Sequence, residues 1–174
     1  MDQPFIRSSG VDAHARLAVG KQIPGTRYRL VGWIGEGGMG EIFEAVHVDI
    51  QRHVALKVIK RGMSELQHEQ FLAEARAIAK IDSRFVVDVL DFGELPDGRP
   101  FYVMELLDSS DLHDLLQAEG RLSLQRAVPI MRQLCKALAA IHACGLAHRD
   151  VKPRNILLQT SSERADAVRV VDFG

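Results

Sequence analysis

The chain has 174 residues, 47% hydrophobic and 26% charged, with a formal net charge of -1. That length suits one well-buried domain or two small lobes sharing a cleft. The balanced charge offers nothing to a polyanion, no stretch approaches the length of a membrane span, and residues 1–10 lack the apolar core of a secretory signal. Nucleic acid and membrane are therefore not expected as partners, and a cytoplasmic location is.

Residues 1–27 show no sustained period and contain Gly10, Gly20, Pro24 and Gly25, the composition of a flexible lead-in. From Tyr28 the pattern becomes strand-like. Residues 28–31 lead into the cluster Gly35-Glu36-Gly37-Gly38-Met39-Gly40, and residues 41–48 and 54–59 follow as runs rich in β-branched side chains. These predict a three-strand meander. Residues 64–81 predict a helix, with Ser64 as N-cap and Phe71, Leu72, Ala75, Ile78 and Ala79 at helical spacing. Two further strands, at 85–90 and 101–104, flank the turn chemistry of Pro96-Asp97-Gly98.

Beyond Leu107 the character is helical, with a short helix at 111–117 and a long one at 124–144. The long helix carries Val128, Ile130, Met131, Leu134, Ala137, Leu138 and Ile141 over more than one face, so it expects neighbours on most sides. Residues 156–158 and 168–171 predict a final short hairpin. Cys135 and Cys144 lie nine positions apart on the long helix, hence on opposite faces and about 13 Å apart along its axis. A disulfide cannot span that; they read as small buried hydrophobes without a metal cluster.

Gly35, Gly37 and Gly40 form G-x-G-x-x-G, which dinucleotide-binding folds share. There the glycines open a helix and an acidic residue follows about twenty positions on. Here a strand follows, and the residue near that spacing is the basic Lys57. A glycine turn between antiparallel strands makes a flap whose backbone can approach phosphates closely. Lys57 stands among apolar residues in the third strand, and Glu74 stands among Phe71, Ala75 and Ile78 on the inward side of the helix. A Lys57–Glu74 pair holds an ammonium where it can meet phosphates. Glu65 and Glu69 read as solvated helix charges.

The strongest signal is His148-Arg149-Asp150-Val151-Lys152-Pro153-Arg154-Asn155. One loop supplies a carboxylate to accept a proton, a lysine to neutralise phosphate charge and an amide oxygen for Mg²⁺. Asp172-Phe173-Gly174 adds a second hard oxygen of the kind Mg²⁺ prefers. A second triplet, Asp91-Phe92-Gly93, precedes the loop and ends a predicted strand, so it is expected to have no functional part.

Taken in order, these motifs resemble the eukaryotic-like serine/threonine protein kinases, and bacterial members most, over roughly residues 28–174. The resemblance implies an α+β, bilobal protein-kinase-like fold. A five-stranded N-lobe with one helix is expected over 28–105, and the first part of the helical C-lobe over 106–174. It implies that residues 35–40 (Gly35, Glu36, Gly37, Gly38, Met39, Gly40) cover the ATP phosphates, and that Lys57 meets the α and β phosphates while paired with Glu74. Asp150 orients and deprotonates the substrate hydroxyl, Asn155 and Asp172 hold Mg²⁺, and Lys152 marks the serine/threonine class. Met104 resembles the gatekeeper, and Glu105 to Leu107 the hinge whose backbone meets adenine. Ile42, Ala55 and Leu157 sandwich the adenine ring.

The implied partners are ATP and a protein carrying Ser or Thr. The activation segment and later C-lobe helices of the family do not follow Gly174, so two expectations stand together. One is a serine/threonine protein kinase represented by its N-terminal portion. The other is a nucleotide-binding or decoy module without phosphotransfer. In either case the unpartnered side of the long helix predicts an exposed apolar patch and self-association through that face.

Overall fold

In the computed structural model, which describes residues 17–161 and 164–173, the strand-forming runs of the first half close into one antiparallel sheet. β1 (Tyr28–Glu36), β2 (Gly40–His47) and β3 (Arg52–Ile59) form the expected meander, and α1 (Glu65–Ile78) follows. β4 (Val89–Glu94) and β5 (Pro100–Glu105) complete a five-stranded sheet of order β1-β2-β3-β5-β4. Ser64 caps α1: its hydroxyl accepts the Gln67 N–H while the Gln67 side chain accepts the Ser64 N–H, a reciprocal capping box. Phe71, Ala75 and Ile78 are buried from α1, with the Phe71 ring 5.1 Å from that of Tyr102 on β5. Ala79, expected on that face, is instead the exposed C-cap.

Two stretches depart from expectation. The fourth strand runs over Val89–Glu94 rather than 85–90. Residues 85–87 cross to the other lobe: the Val87 N–H donates to Val170 O at 3.0 Å, and the Val170 N–H donates to Phe85 O at 2.8 Å. A short apolar run is compatible with either role, and only tertiary pairing separates them. The lead-in departs as well. Residues 1–16 lie outside the described residues, but 17–27 fold back onto β1 through turns at Gly20 and Gly25 (φ 89° and 77°). The Gly20 N–H donates to Leu30 O at 2.8 Å, and Ile23 is buried with Tyr28 and Leu30. An isolated isoleucine among glycines carries no periodicity that would announce this.

The second half holds β6 (Ser110–Asp111), α2 (Leu112–Glu119), α3 (Leu124–Ala143), a 3-10 turn at Pro153–Asn155, β7 (Ile156–Ser161) and β8 (Arg164–Val170). β6, β7 and β8 make a second, three-stranded sheet. α3 buries Ile130, Leu134, Ala137 and Ile141, which join one hydrophobic core with Ile156, Leu158, Val168 and Val170 of the hairpin. Arg126 at its start fastens the hairpin, its Nε and Nη2 lying 2.6 and 2.8 Å from the two carboxylate oxygens of Asp166. A neighbouring side of α3 is open: Leu124 is 78% exposed, and Val128 and Met131 are each 50% exposed. The exposed apolar face expected from the sequence is present. Both cysteines are exposed, which corrects their reading as buried. Cys135 follows the buried Leu134 and is rotated about 100° off the packed stripe, and Cys144 is the C-cap residue of α3.

Candidate active site

β3 carries the run Val54 to Ile59, every residue of it buried, and Lys57 in its middle is only 6% exposed. A buried ammonium is tolerated only when paired. Here Nζ lies 3.3 Å from Glu74 Oε1 and 3.0 Å from Asp172 Oδ1, and 5.5 Å from the centroid of the Tyr102 ring. Burial works against the charge on Lys57, but Tyr102, Asp172 and Glu74 outweigh it and hold its pKa above the ordinary lysine value. Burial pushes the Glu74 carboxyl up, opposed by the neighbouring Lys57 ammonium. Glu74 Oε1 also accepts the Tyr102 hydroxyl at 3.2 Å. One lysine thus ties the sheet, α1 and the segment after β8 together.

The loop between α3 and β7 is organised around His148, 2% exposed. Its Nδ1 accepts the Asp150 N–H at 3.3 Å, so Nε2 carries the proton and donates to Val171 O at 3.1 Å. Burial lowers the pKa of this imidazole, and its ring stacks on Phe173 at 4.6 Å. Asp150 Oδ2 accepts Lys152 Nζ at 2.6 Å and Asn155 Nδ2 at 3.1 Å. The Lys152 bond is the main reason the Asp150 carboxyl sits below its usual range. Asn155, 4% exposed, sends Nδ2 also to Asp150 O at 2.9 Å and to Asp172 O at 3.1 Å. Among the described residues every hydrogen bond of this side-chain amide runs through its nitrogen, which leaves the amide oxygen for a cation. Arg149 and Asp172 both adopt positive φ, 62° and 52°, a cost that non-glycine residues bear mainly where surrounding structure fixes them.

The glycine flap joins β1 to β2, with the Gly37 N–H donating to Gly40 O at 2.8 Å and the Lys60 N–H to Met39 O at 2.9 Å. A Cβ placed on Gly35, Gly37 or Gly38 meets nothing within 4 Å, so protein packing does not require their bareness. Gly40 is different. A Cβ there would sit 2.9 Å from Val58 O and 3.2 Å from Lys57 Cγ. Below the flap, Ala55 and Met104 are cross-strand partners on β3 and β5 and both are buried; Ile42 packs against the same core. Glu105 and Leu107 are half-buried at the exit from β5. Leu157 is likewise half-buried, between the buried Ile156 and Leu158.

Asp91-Phe92-Gly93 lies away from this cluster, inside β4 rather than at a strand end. Asp91 Oδ2 accepts the Tyr28 hydroxyl at 2.8 Å, and the Arg76 guanidinium lies 5.8 Å from the centre of the Phe92 ring. A Cβ on Gly93 would stand 2.7 Å from Phe101 Cζ. Each member of the triplet thus has a packing reason. Tyr102 is the site residue that sequence reading missed; its one signal is that it lies directly across from Lys57 in the β3–β5 register. Gly174 lies outside the described residues.

A small β lobe and a helical lobe, with Lys57, Glu74, Asp150, Asn155 and Asp172 gathered between them, define a kinase-type bilobal domain. The family model described as protein kinase domain matches residues 28–174, and the chain belongs to that family. It is 39% identical over 158 residues to the serine/threonine-protein kinase Pkn3 of Myxococcus xanthus, covering 90% of this chain and 29% of that protein. It is 42% identical over 154 residues to the serine/threonine-protein kinase PknA of Mycobacterium tuberculosis, covering 85% of this chain and 35% of that one. The chain thus spans about a third of the length of these relatives. Among solved structures, the PknI kinase domain of Mycobacterium tuberculosis aligns with a TM-score of 0.75 at 27% identity, over 91% of this chain and 63% of that one. Rad53, solved in complex with AMP-PNP, aligns with a TM-score of 0.73 at 26% identity, over 85% of this chain and 38% of that one.

Proposed function

We propose that the chain is the nucleotide-binding and catalytic-loop portion of a serine/threonine protein kinase, which transfers the γ-phosphoryl of MgATP to a protein Ser or Thr hydroxyl. The observation that carries this reading is the bridging of Lys57 between Glu74 and Asp172, with Asn155 fastening Asp150 to the Asp172 backbone. Groups from four separate stretches of chain then face one volume. The relatives' serine/threonine kinase names and the AMP-PNP complex of Rad53 support the same class.

In this reading the open glycines, Gly35, Gly37 and Gly38, let flap amides come close to phosphate oxygens, where a side chain would hold them off. Lys57, charged and held by two carboxylates, presents its ammonium to the α and β phosphates. Ile42, Ala55 and Leu157 enclose the base, and the backbone from Glu105 to Leu107 meets its edge beside Met104. Asp150, kept ionised chiefly by the Lys152 hydrogen bond against the opposing effect of burial, accepts the hydroxyl proton, while Lys152 beside it neutralises charge on the transferred group. A cation would be held by the Asn155 amide oxygen and an Asp172 carboxylate oxygen; among the described residues no cluster of three His, Cys, Asp or Glu offers another place for it. Two hard oxygens with phosphates and water suit Mg²⁺, which neutralises phosphate charge when bound.

A second reading, nucleotide binding without transfer, is favoured by the uncovered face of α3, since α3 and the hairpin hold the catalytic loop in place. Self-association through that face and a cytoplasmic setting belong to this proposal too; among the described residues no helix is long and apolar enough to cross a membrane. Calorimetric titration of the chain with ATP, with and without Mg²⁺, combined with peptide phosphorylation, separates the readings. Mg²⁺-dependent binding with transfer supports the kinase, binding without transfer supports the second reading, and no binding refutes both.

A further inference from the structure

Glu105 ends β5 and begins the connection from the sheet lobe to the helical lobe. Its Oε1 accepts two hydrogen bonds, from the Asp88 N–H at 3.0 Å and from Arg169 Nη1 at 2.8 Å. The Glu105 N–H returns to Asp88 O at 3.0 Å, closing a ring with the backbone before β4. Arg169 Nη1 also donates to Val86 O at 3.1 Å. Arg169 stands on β8, three positions before Asp172. Its side chain is 20% exposed and that of Glu105 is 15% exposed. An ion pair so shielded from water and so tied into backbone differs from the loose surface pairs that contribute little.

We infer that Arg169 is a positioning residue for the nucleobase. This rests on the nucleotide-binding reading above, and adds a group that touches neither phosphate nor metal. By gripping the Glu105 carboxylate and Val86 O together, one guanidinium ties the end of β5 to the segment before β4 and so holds the start of the 105–107 connection. Asp172 follows two residues beyond the end of that strand, so the seat of the base and the acid beside Lys57 are held in one frame. Selection between purines by main-chain groups depends on those groups staying put: a base with the wrong edge then leaves a donor or acceptor unpaired, which costs far more than a lost neutral contact. A backbone free to shift re-pairs and loses that selection. A lysine at 169 supplies the charge but not a rigid planar fork.

The test uses the 174-residue chain with Arg169→Ala, Arg169→Lys, Glu105→Gln and the Arg169→Ala/Glu105→Gln double variant. Calorimetry gives affinities for ATP, GTP and inorganic tripolyphosphate, all with Mg²⁺, and hydrogen exchange follows the Asp88 and Glu105 amides. Arg169→Ala is expected to weaken ATP binding roughly three- to tenfold and to narrow the ATP-to-GTP affinity ratio. Tripolyphosphate affinity stays unchanged, because Lys57 and the flap are untouched, and the Asp88 amide exchanges faster. Arg169→Lys recovers part of the ratio, and the double variant is no worse than Arg169→Ala. Equal weakening of all three ligands marks a merely structural role and overturns the inference. So does an unchanged ratio with unchanged Asp88 exchange. A wild-type chain that binds none of the three ligands refutes the nucleotide reading itself, and the inference falls with it; a wild type that binds while Arg169→Ala matches it overturns the inference alone.

Discussion

Gly40→Ala separates two uses of glycine within one flap. At Gly40 the added methyl would come 2.9 Å from Val58 O and 3.2 and 3.3 Å from Cγ and Cε of Lys57. Val58 O belongs to the β2–β3 ladder, where Gly40 pairs with Ile59, so it cannot retreat without loosening that ladder. The Lys57 stem must give instead, and its ammonium is already fixed by Glu74 and Asp172. Overpacking of this kind costs about 1–3 kcal/mol, and each kcal/mol lowers the melting temperature of a domain this size by about 2–4 °C. Moving the ammonium off the phosphate position weakens ATP by about tenfold for every 1.4 kcal/mol lost. Gly38→Ala, with nothing within 4 Å of its Cβ, should melt at or slightly above the wild-type temperature. Thermal melting with and without MgATP reads both. The reasoning is refuted if Gly40→Ala melts like wild type and binds ATP equally, or if Gly38→Ala alone destabilises the fold.

Glu74→Ala leaves Lys57 with one carboxylate and the Tyr102 hydroxyl with no acceptor. It should cost about 3 kcal/mol in urea unfolding and weaken ATP, whereas a loss below about 1 kcal/mol would mean that the pair behaves as a surface one. His148 has a folded pKa below its unfolded value near 6.5, so the unfolded chain binds the extra proton first. Stability should therefore hold above about pH 6.5 and decline as pH falls below it; a melting temperature flat from pH 7.5 to 5.5 would contradict the assigned tautomer. Asp91→Ala removes the acceptor of the Tyr28 hydroxyl and should cost about 1–2 kcal/mol without changing Mg²⁺-dependent ATP binding, while Asp172→Ala should abolish that dependence. The opposite pattern would reassign the two triplets. Replacing Leu124, Val128 and Met131 together by Gln should turn a self-associating chain monomeric on sizing; a wild-type chain already monomeric shows that the α3 face is not sticky.

Motif spacing made the grouping of the candidate site legible, because Lys57, Glu74, the loop from His148 to Asn155 and Asp172 lie far apart in the chain and are brought together. Helix α1 was legible from Ser64 and its apolar period. What escaped depends on register or on tertiary pairing. Tyr102 is one aromatic among the buried residues of β5, and only its alignment with Lys57 reveals its hydroxyl as a partner of Glu74. The run at 85–87 has the composition of a strand but pairs with β8, which no local window reports. The cysteines were misplaced because an apolar helix does not declare which stripe its neighbours cover. Arg169 reads as an alternating polar residue in a strand until Glu105 is found opposite.

The hydrogen bond from Tyr28 to Asp91 joins the two outermost strands of the five-stranded sheet, residues 63 positions apart. Open sheet borders are templates on which other chains can pair. Here that side-chain bond fastens one border strand to the other, and β4 intersperses the acidic Asp91 and Glu94 with the exposed Leu90 and Phe92. The seal is long-range, so it forms only after the intervening strands and α1 are in place. Before that, β1 has only the short turn of residues 20–23 along its outer border while the rest of the sheet is still being made. The hazard of misassembly therefore belongs less to the finished lobe than to the interval before Asp91 arrives.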